Sequence, residues 1–260
     1  MERQKILITG IAGTWGRAFT ELLKDEHDLI GIDSNEQGVA KFKHDFPTVP
    51  IILGNFDDFD FEHHGVDLVI HLAAHKHIGI CEKNVYESCL NNVTRTATLF
   101  KNAYQHGVKI LFVSTDKAVE PIGVYGYTKA LGEHLAREFG GVVARSGNVI
   151  ASQGSVIQLW REAIANKKPI RLSDADCERY FISPEEVVRK VWDGYQSGAK
   201  TIVPDMGEPI RMGVMLKDML TEAGYTAENY PAEISITGLS SIEKMHEKLK
   251  WDNEELEFIK

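Results

Sequence analysis

The alternation of short apolar strands with helical patterns constrains the fold of this chain more than any other sequence feature. Apolar runs at 5–9, 28–32, 51–53, 67–72, 108–113 and 142–145 have the composition of strands in a sheet that is covered on both faces. Between them lie segments with apolar residues at helical spacing, for example 37–46 and 84–105. This alternation predicts an α/β fold with a doubly wound parallel sheet over residues 1–150.

After residue 150 the alternation of strand and helix patterns becomes less regular. Helical patterns at 155–166, 184–197, 212–224 and 241–249 alternate with short strand patterns at 169–172, 178–182, 201–203 and 234–236. We expect residues 151–260 to form a small mixed α/β lobe that closes over the ligand crevice of the sheet. The sequence shows no sharp boundary between the two parts, so segments after residue 150 can also return to the sheet.

Charge and composition exclude several classes of function. The formal net charge of -9 and the isoelectric point near 5.6 argue against a nucleic-acid partner, which requires a basic face. Three scattered cysteines do not make a disulfide framework and indicate a reducing compartment. No leader-like segment precedes the first strand, and no apolar run approaches the ~20 residues of a membrane helix. The sequence therefore predicts a cytoplasmic protein without a membrane partner.

A glycine-rich turn joins the first strand to the first helix. Gly10, Gly13 and Gly16, with Thr14 and Trp15 between the last two, stand at Gly-x-x-Gly-x-x-Gly spacing. Glycines at this point let backbone N–H groups approach a pyrophosphate, which also interacts with the helix N-terminus. The alternative is that the glycines simply fit a tight turn, but an acid on the next strand favours the nucleotide.

That acid is Asp33, about 20 residues past the glycines, where a carboxylate accepts hydrogen bonds from the adenosine ribose. A carboxylate there repels a 2′-phosphate, so we expect NAD rather than NADP; a solvated turn aspartate is the alternative reading. Asp57, after the third strand, is a candidate for contact with the adenine amino group, although an ordinary loop fits equally well. With the glycines, Asp33 makes the predicted sheet one of the Rossmann type.

The residues after the fourth strand are candidates for the nicotinamide end of the site. Ala73 and Ala74 let the backbone pass close to a ribose, and Lys76 and His77 follow, facing cofactor and substrate. The histidines and the cysteine in this region lack ordinary zinc spacing, so we expect no metal; they are His71, His75, His77 and Cys81. Asn92, a polar residue in the helical pattern of 84–105, is a further candidate for cofactor contact. Its alternatives are a surface position or a hydrogen bond to the helix backbone.

Groups suited to proton transfer converge where the fifth strand ends and the next helix begins. Thr115, Asp116 and Lys117 stand at the strand end, and Tyr125 and Lys129 are one helical turn apart in the helix entrance. Ligands of open parallel sheets bind at the carboxyl ends of the strands. Groups of such different intrinsic pKa are what general acid–base catalysis requires. The alternative for Asp116 and Lys117 is a surface ion pair.

Together these pieces resemble the extended short-chain dehydrogenase/reductase superfamily, and within it the UDP-N-acetylglucosamine 4,6-dehydratases of bacterial polysaccharide and nonulosonic-acid biosynthesis. The matching motifs are Thr9-Gly-x-x-Gly-x-x-Gly16, His71-Leu-Ala-Ala74 with Lys76-His77, Ser114-Thr-Asp-Lys-Ala-Val119, Tyr125-x-x-x-Lys129, Arg145-x-Gly-Asn-Val149, Gly154-Ser-Val156 and Arg179-Tyr-Phe-Ile182. The resemblance implies a UDP-sugar substrate, which is oxidised at carbon 4, loses water across carbons 5 and 6, and regains the hydride at carbon 6. It also implies that NAD stays bound throughout.

The resemblance also implies a role for each residue of the set. Tyr125 takes the proton of the 4-hydroxyl, with Lys129 supplying the cation that lowers the pKa of the phenol, and Thr115 holds the 4-oxygen. Asp116 protonates the leaving 6-hydroxyl, and Lys117 takes the proton from carbon 5. Both Tyr125 and Lys129 also contact the cofactor. Substrate contacts are implied at His77, Asn148, Ser155, Val156 and Arg179, with Asn148 and Ser155 at the diphosphate or uridine.

The chain departs from the family pattern near its C-terminus. Ser240 and Ser241 occupy the arginine and proline positions of a motif resembling Arg-Pro-Gly-Glu-Lys-Leu, and Arg95 and Ser146 replace an expected glycine and tyrosine. Two other functions therefore stay open: an NAD(P)-dependent reductase or epimerase of a 4-keto nucleotide sugar, and an NAD-binding regulatory homologue without catalysis. Soluble enzymes of this kind are usually symmetric assemblies, so we expect a homo-oligomer.

Overall fold

The computed structural model describes residues 2–150, 152, 154–254, 256 and 258–260. The strands are β1 Lys5–Thr9, β2 Asp28–Asp33, β3 Ile51–Leu53, β4 Leu68–His71, β5 Lys109–Thr115, β6 Val142–Ser146, β7 Asn148–Val149, β8 Ile170–Leu172, β9 Glu178–Arg179, β10 Phe181–Ile182, β11 Thr201–Pro204, β12 Ile210–Arg211, β13 Ile234–Ile236 and β14 Phe258–Ile259. The α-helices are α1 Thr14–Leu23, α2 Glu36–Asp45, α3 Phe61–His64, α4 Ile78–Lys83, α5 Val85–Cys89, α6 Thr96–Gln105, α7 Val124–Glu138, α8 Val156–Ala165, α9 Pro184–Gln196 and α10 Met212–Glu222. Within these ranges no helix combines the length and the apolar character that crossing a membrane requires.

The centre of the fold is an eight-stranded sheet with the strand order β14-β11-β6-β5-β4-β1-β2-β3. All neighbouring pairs in it are parallel. Residues 6–9 of β1 and all four residues of β4 are buried because helices cover both faces of the sheet. The doubly wound α/β fold expected from the alternation is confirmed.

The C-terminal part of the chain contributes to this sheet as well as to the lobe. Ser183 caps α9 by accepting a hydrogen bond from the backbone N–H of Glu186, with Pro184 in the first turn. The helix packs against α1 on one face of the sheet, and β11 and β14 extend the sheet beyond β6. Residues on both sides of position 150 therefore build the Rossmann layer, and the lobe is formed by the stretches between them.

The lobe has a core of its own. Helices α8 and α10 pack with the parallel pair β8–β13 around buried apolar side chains. Trp160 is representative, because its ring is buried and its indole N–H donates to the backbone oxygen of Arg171 at 3.0 Å. The short antiparallel pair β9–β12 and the parallel pair β7–β10 connect this lobe to the edge of the crevice.

Two helical predictions differ from the structure. The pattern at 84–105 gives α5 and α6, but a π-helical segment, Leu90–Arg95, separates them. The helix expected at 241–249 does not form, and the segment runs through turns, bends and irregular backbone with one isolated β-bridge, Glu178 to His246. Its carbonyl groups accept hydrogen bonds from distant parts of the chain instead: Glu178 N and the Arg179 guanidinium donate to Met245, and the Arg145 guanidinium donates to Leu249.

Candidate active site

A cavity of about 600 Å³ lies at the carboxyl ends of the central strands, the size expected of a ligand pocket. Its wall brings together most of the residues singled out in the sequence, which are Gly10, Gly13, Thr14, Trp15, Asp33, Ala73, Ala74, Lys76, His77, Thr115, Lys117, Tyr125, Lys129, Asn148, Ser155, Val156 and Arg179. Four others are not part of the wall: Gly16, Asp57, Asn92 and Asp116. One common cavity therefore joins the glycine turn to the proton-transfer residues.

The glycine turn forms a cradle at one end of this cavity. Gly10 has a φ of +66°, and a side chain there would meet the backbone of Ala73 at 3.0 Å. Gly16 lies behind the wall, where an added Cβ would come within 2.4 Å of the Ile11 backbone. Gly13 stands at the start of α1 and supplies no side-chain cap to its first N–H groups. A helix N-terminus that opens into a cavity in this way fits a pyrophosphate.

Asp33 lies at the end of β2 and is held by the turn beside it. Its Oδ2 accepts from Ala12 N at 3.1 Å, and its Oδ1 accepts from Asn35 N at 3.0 Å. Each carboxylate oxygen keeps capacity for a further hydrogen bond, as contact with a ribose diol requires. Asp57, in contrast, does not line the cavity, and its carboxylate lies 3.7 Å from the Arg95 guanidinium.

A buried network positions the end of β4. The Thr9 hydroxyl accepts from Leu72 N at 3.1 Å and Ala73 N at 3.2 Å, which leaves its own hydrogen for His71 Nδ1 at 2.7 Å. His71 Nε2 then donates to the Thr96 hydroxyl at 3.1 Å. Burial holds the pKa of His71 well below its ordinary value, so the ring is neutral at neutral pH. His71 thus supports the backbone that lines the cavity.

Asn92 acts on the same backbone from the π-helical segment. Its side-chain oxygen accepts from His75 N at 2.8 Å, and its amide nitrogen donates to His75 O at 2.8 Å and to the Thr128 hydroxyl at 3.1 Å. π-Helical insertions often occur at functional sites, and this one turns a mid-helix asparagine toward a neighbouring loop. Asn92 is not part of the cavity wall and supports the His75 backbone, and its predicted contact with a cofactor stays a prediction.

Lys129 is buried on the inner face of α7. Its Nζ donates to Val113 O at 2.6 Å and lies 4.0 Å from the centroid of the Phe112 ring. Burial lowers its pKa from 10.5 to about 7, although the carboxylate of Glu133 raises it. A lysine in this condition releases and takes up protons near neutral pH.

Tyr125 lines the cavity one helical turn before Lys129. Burial raises the pKa of Tyr125 to about 12; Lys117 lowers it and Asp116 raises it again. Lys117 is therefore a cation that favours the phenolate, and the same role expected of Lys129 stays a prediction.

The Thr115–Asp116–Lys117 set forms a closed hydrogen-bonded group at the end of β5. Asp116 Oδ1 accepts from the Thr115 hydroxyl at 2.8 Å and from Lys117 Nζ at 2.9 Å. Asp116 is fully buried, and a Cβ built on Gly147 would lie 3.3 Å from its Oδ2. Thr115 and Lys117 reach the cavity wall, while Asp116 lies directly behind them. The surface ion pair considered as an alternative is excluded by this burial.

The C-terminal segment adds acidic side chains that the sequence reasoning missed. Glu243 and Glu247 both line the cavity. Glu247 Oε1 lies 3.7 Å from Lys117 Nζ, and its Oε2 lies 3.5 Å from Lys244 Nζ. Both acids stand in the sequence just after Ser240 and Ser241, but nothing local to that segment links Glu247 to Lys117.

The predicted substrate residues lie at the other end of the cavity. Ser155 caps α8 by accepting from Gln158 N, and Val156 begins that helix. Asn148 donates to Tyr180 O at 3.2 Å. Arg179 donates to Glu178 O at 2.7 Å and still reaches the cavity. His77 precedes α4, and an added Cβ on Gly154 would lie 2.6 Å from its ring, so the two loops touch across the cavity mouth.

Comparison with known sequences gives a consistent family. EpsC of Bacillus subtilis, a probable polysaccharide biosynthesis protein, is 35% identical over 196 residues, which are 72% of this chain and 32% of EpsC. An inverting UDP-N-acetylglucosamine 4,6-dehydratase of Campylobacter jejuni is 28% identical over 225 residues, 78% of this chain and 67% of the relative. A UDP-glucose 4-epimerase of Rickettsia canadensis is 31% identical over 214 residues, 74% and 63% of the two chains. This chain thus spans about a third of EpsC and about two thirds of the other two relatives.

Solved structures agree on the fold. The crystal structure of Pen from Bacillus thuringiensis matches with a TM-score of 0.86 and 26% identity, over 95% of this chain and 82% of Pen. The sequence profile of a family described as polysaccharide biosynthesis proteins matches residues 6–259. Since that match covers nearly the whole chain, the protein belongs to this polysaccharide biosynthesis family of extended short-chain dehydrogenase/reductases.

Proposed function

We propose that this protein is an NAD-dependent nucleotide-sugar 4,6-dehydratase, acting on UDP-N-acetylglucosamine or a related UDP-sugar. One observation carries the proposal. Thr115, Lys117, Tyr125 and Lys129 line the same cavity as the glycine turn, and Asp116 is bonded to two of them. A hydride-transfer set and an acid–amine pair thus meet at one place, which oxidation followed by elimination requires. The name of the Campylobacter relative supports the same reaction.

The cofactor end of the cavity suits NAD. The α1 N-terminus offers N–H groups without a side-chain cap, and Asp33 offers carboxylate oxygens to a ribose. A carboxylate at that position repels the 2′-phosphate of NADP. Bound NAD would accept a hydride from carbon 4 of the sugar and return it to carbon 6.

Tyr125 and Thr115 then serve the oxidation of carbon 4. Thr115 donates to the 4-oxygen, and Tyr125 takes the proton of the 4-hydroxyl. Burial raises the pKa of the phenol to about 12 in the structure without ligands, and Lys117 acts against this rise. Lys129, with a pKa near 7, holds the ribose and exchanges protons with solvent through it.

Elimination follows at the acid–amine pair. The ketone at carbon 4 makes the proton on carbon 5 acidic. Lys117 takes that proton as the C5–H bond breaks, and the C6–O bond breaks as Asp116 gives its proton to the departing hydroxyl, which leaves as water. Asp116 and Lys117 share one hydrogen bond of 2.9 Å, so a proton passes between them without rearrangement.

The test is incubation of the purified protein with UDP-N-acetylglucosamine and other UDP- and dTDP-sugars, followed by mass spectrometry. We expect a product lighter by one water and no net build-up of reduced cofactor. Asp116→Asn should stop the loss of water while leaving the protein folded. Accumulation of NADH in step with product would contradict the proposal.

A reductase or epimerase is the second candidate, favoured by the Rickettsia relative named as a UDP-glucose 4-epimerase. It would give an isomer of unchanged mass or consume added NADH, and it would tolerate Asp116→Asn. Tight NAD binding without turnover of any sugar would instead favour the regulatory homologue. Self-association and a cytoplasmic location stay predictions, checked by light scattering and by cell fractionation.

A further inference from the structure

Lys117 lies between two carboxylates that come from opposite ends of the chain. Its Nζ is 2.9 Å from Asp116 Oδ1, on its own strand end, and 3.7 Å from Glu247 Oε1, in the C-terminal segment. Both carboxylate side chains are almost completely buried. An ammonium group placed in this way is attracted from two sides in a region of low dielectric constant, where such attraction is strong.

Glu247 lies between two lysines, Lys117 and Lys244. Its Oε2 is buried and accepts no hydrogen bond from any residue that the structure describes. The nearest cation to that oxygen is Lys244 at 3.5 Å, and Lys244 donates its hydrogen bond to Val119 O. A buried carboxylate oxygen without a donor costs free energy, so its placement beside Lys117 calls for a reason beyond packing.

We propose that Glu247 is a positioning residue for the acid–amine pair, holding Lys117 as an ammonium ion turned toward Asp116 until substrate enters. This inference rests on the proposed dehydratase function for its meaning in catalysis, but the arrangement itself exists without substrate.

The chemistry of the pair explains what Glu247 would control. For elimination, Asp116 and Lys117 together carry one proton, and that proton must be on Asp116 rather than on Lys117. In the resting arrangement that proton is on Lys117, since both neighbours are carboxylates. Glu247 keeps the pair from losing this proton to solvent, and substrate binding must then shift it to Asp116. Loss of the proton at high pH leaves no acid for the departing hydroxyl, which sets the alkaline limit of turnover.

Each group that faces Lys117 acts in a known direction. Burial lowers the pKa of Lys117, but the carboxylates of Asp116 and Glu247 and the phenol of Tyr125 together raise it above its ordinary value. Lys244 lies beyond Glu247 and partly offsets its charge. Replacing Glu247 by glutamine removes one of the two carboxylates and keeps the shape, so the ammonium form of Lys117 is stabilised less.

The first experiment reads the protonation of Lys117 without any substrate. The purified protein is treated with trace acetic anhydride across a pH series, and acetylation of Lys117 is followed by peptide mass spectrometry, with exposed Lys101 as the internal reference. Only the neutral amine reacts. At a pH where Lys117 is mostly charged, we expect its acetylation to be about tenfold faster in Glu247→Gln than in wild type. The reason is that loss of a close opposite charge lowers the pKa of the amine and so raises its neutral fraction.

Two further variants sharpen this measurement. Glu243→Gln is the matched control, because Glu243 lines the same cavity but accepts from Ser240 and Ser173 rather than facing Lys117. It should leave the acetylation of Lys117 at the wild-type rate. Glu247→Asp keeps the charge one methylene further away and should fall between wild type and Glu247→Gln. Equal acetylation rates in Glu247→Gln and wild type would overturn the inference, as would an equal effect of Glu243→Gln.

The second experiment tests whether the stabilisation of the Lys117 ammonium ion by Glu247 affects turnover. Turnover, measured as loss of water from the sugar, should begin to fall at a lower pH in Glu247→Gln than in wild type. In the control variant Glu243→Gln, this alkaline limb of the pH profile should stay at the wild-type pH, whatever the change in KM. If wild type turns over no nucleotide sugar, the proposed function fails, yet the acetylation series still decides whether Glu247 holds Lys117. If turnover occurs and neither the limb nor the acetylation moves, the inference alone is wrong.

Discussion

Burial of the Lys129 amine predicts a pH dependence of stability that can be worked out from the structure. The pKa of Lys129 falls from 10.5 to about 7 on folding because the side chain is removed from water. One pKa unit corresponds to about 1.4 kcal/mol, so folding with a charged Lys129 costs up to ~5 kcal/mol. The unfolded chain binds the extra proton between pH 7 and 10.5, and stability therefore rises with pH through this window.

Lys129→Met removes this dependence, since methionine has a similar length and no charge. The loss of the hydrogen bond to Val113 O is a constant cost, independent of pH. The free energy of unfolding of wild type minus that of Lys129→Met should thus increase by roughly 2.5 kcal/mol between pH 6 and pH 9, about half of the full effect. Urea unfolding followed by circular dichroism at several pH values measures it.

Lys101→Met serves as the control, because Lys101 is on the exposed face of α6. Its difference from wild type should not change with pH. A difference between wild type and Lys129→Met that stays level from pH 6 to pH 9 would refute the reasoning, because it would mean that Lys129 keeps its proton on folding. The proposed part of Lys129 in proton exchange near neutral pH would be lost with it.

Three further changes test the supports of the site. Gly16→Ala should lower the free energy of unfolding by about 1–3 kcal/mol, because its Cβ would meet the Ile11 backbone at 2.4 Å. The control Gly79→Ala places its Cβ in open space and should be neutral or stabilising. Thermal unfolding of the two variants measures the difference. Arg145→Met leaves the buried Glu133 with only the Arg137 guanidinium, at 3.2 Å, and should cost about 3 kcal/mol in urea unfolding. Asn92→Leu should weaken NAD binding in a fluorescence titration without a large loss of helix content.

The sheet and most of the cavity wall were predictable because their determinants are local. A strand that is buried on both faces must be apolar throughout, so β1 was predicted at its observed bounds. The apolar run of the edge strand β3 also gave its bounds, although that strand is only partly buried. The glycine turn and Asp33 follow directly from the first two strands, and Tyr125 and Lys129 share one turn of one helix. The helix–strand alternation then fixes which strand ends meet, because parallel strands present their carboxyl ends at one edge. Nothing in this inference needs a contact between distant residues.

The C-terminal segment was mispredicted because its conformation is decided elsewhere in the fold. Its apolar residues fit a helix, but helix formation would require its carbonyl groups to accept from its own backbone. Instead, the Arg145 guanidinium donates to Leu249 O across 104 residues, and Arg179 donates to Met245 O across 66. These anchors are charged or partly buried donors that would lose their acceptors if the segment were helical. The non-helical path keeps these hydrogen bonds, and it is also what brings Glu247 beside Lys117. The second carboxylate beside Lys117 depends on that anchoring, and only the folded chain reveals it.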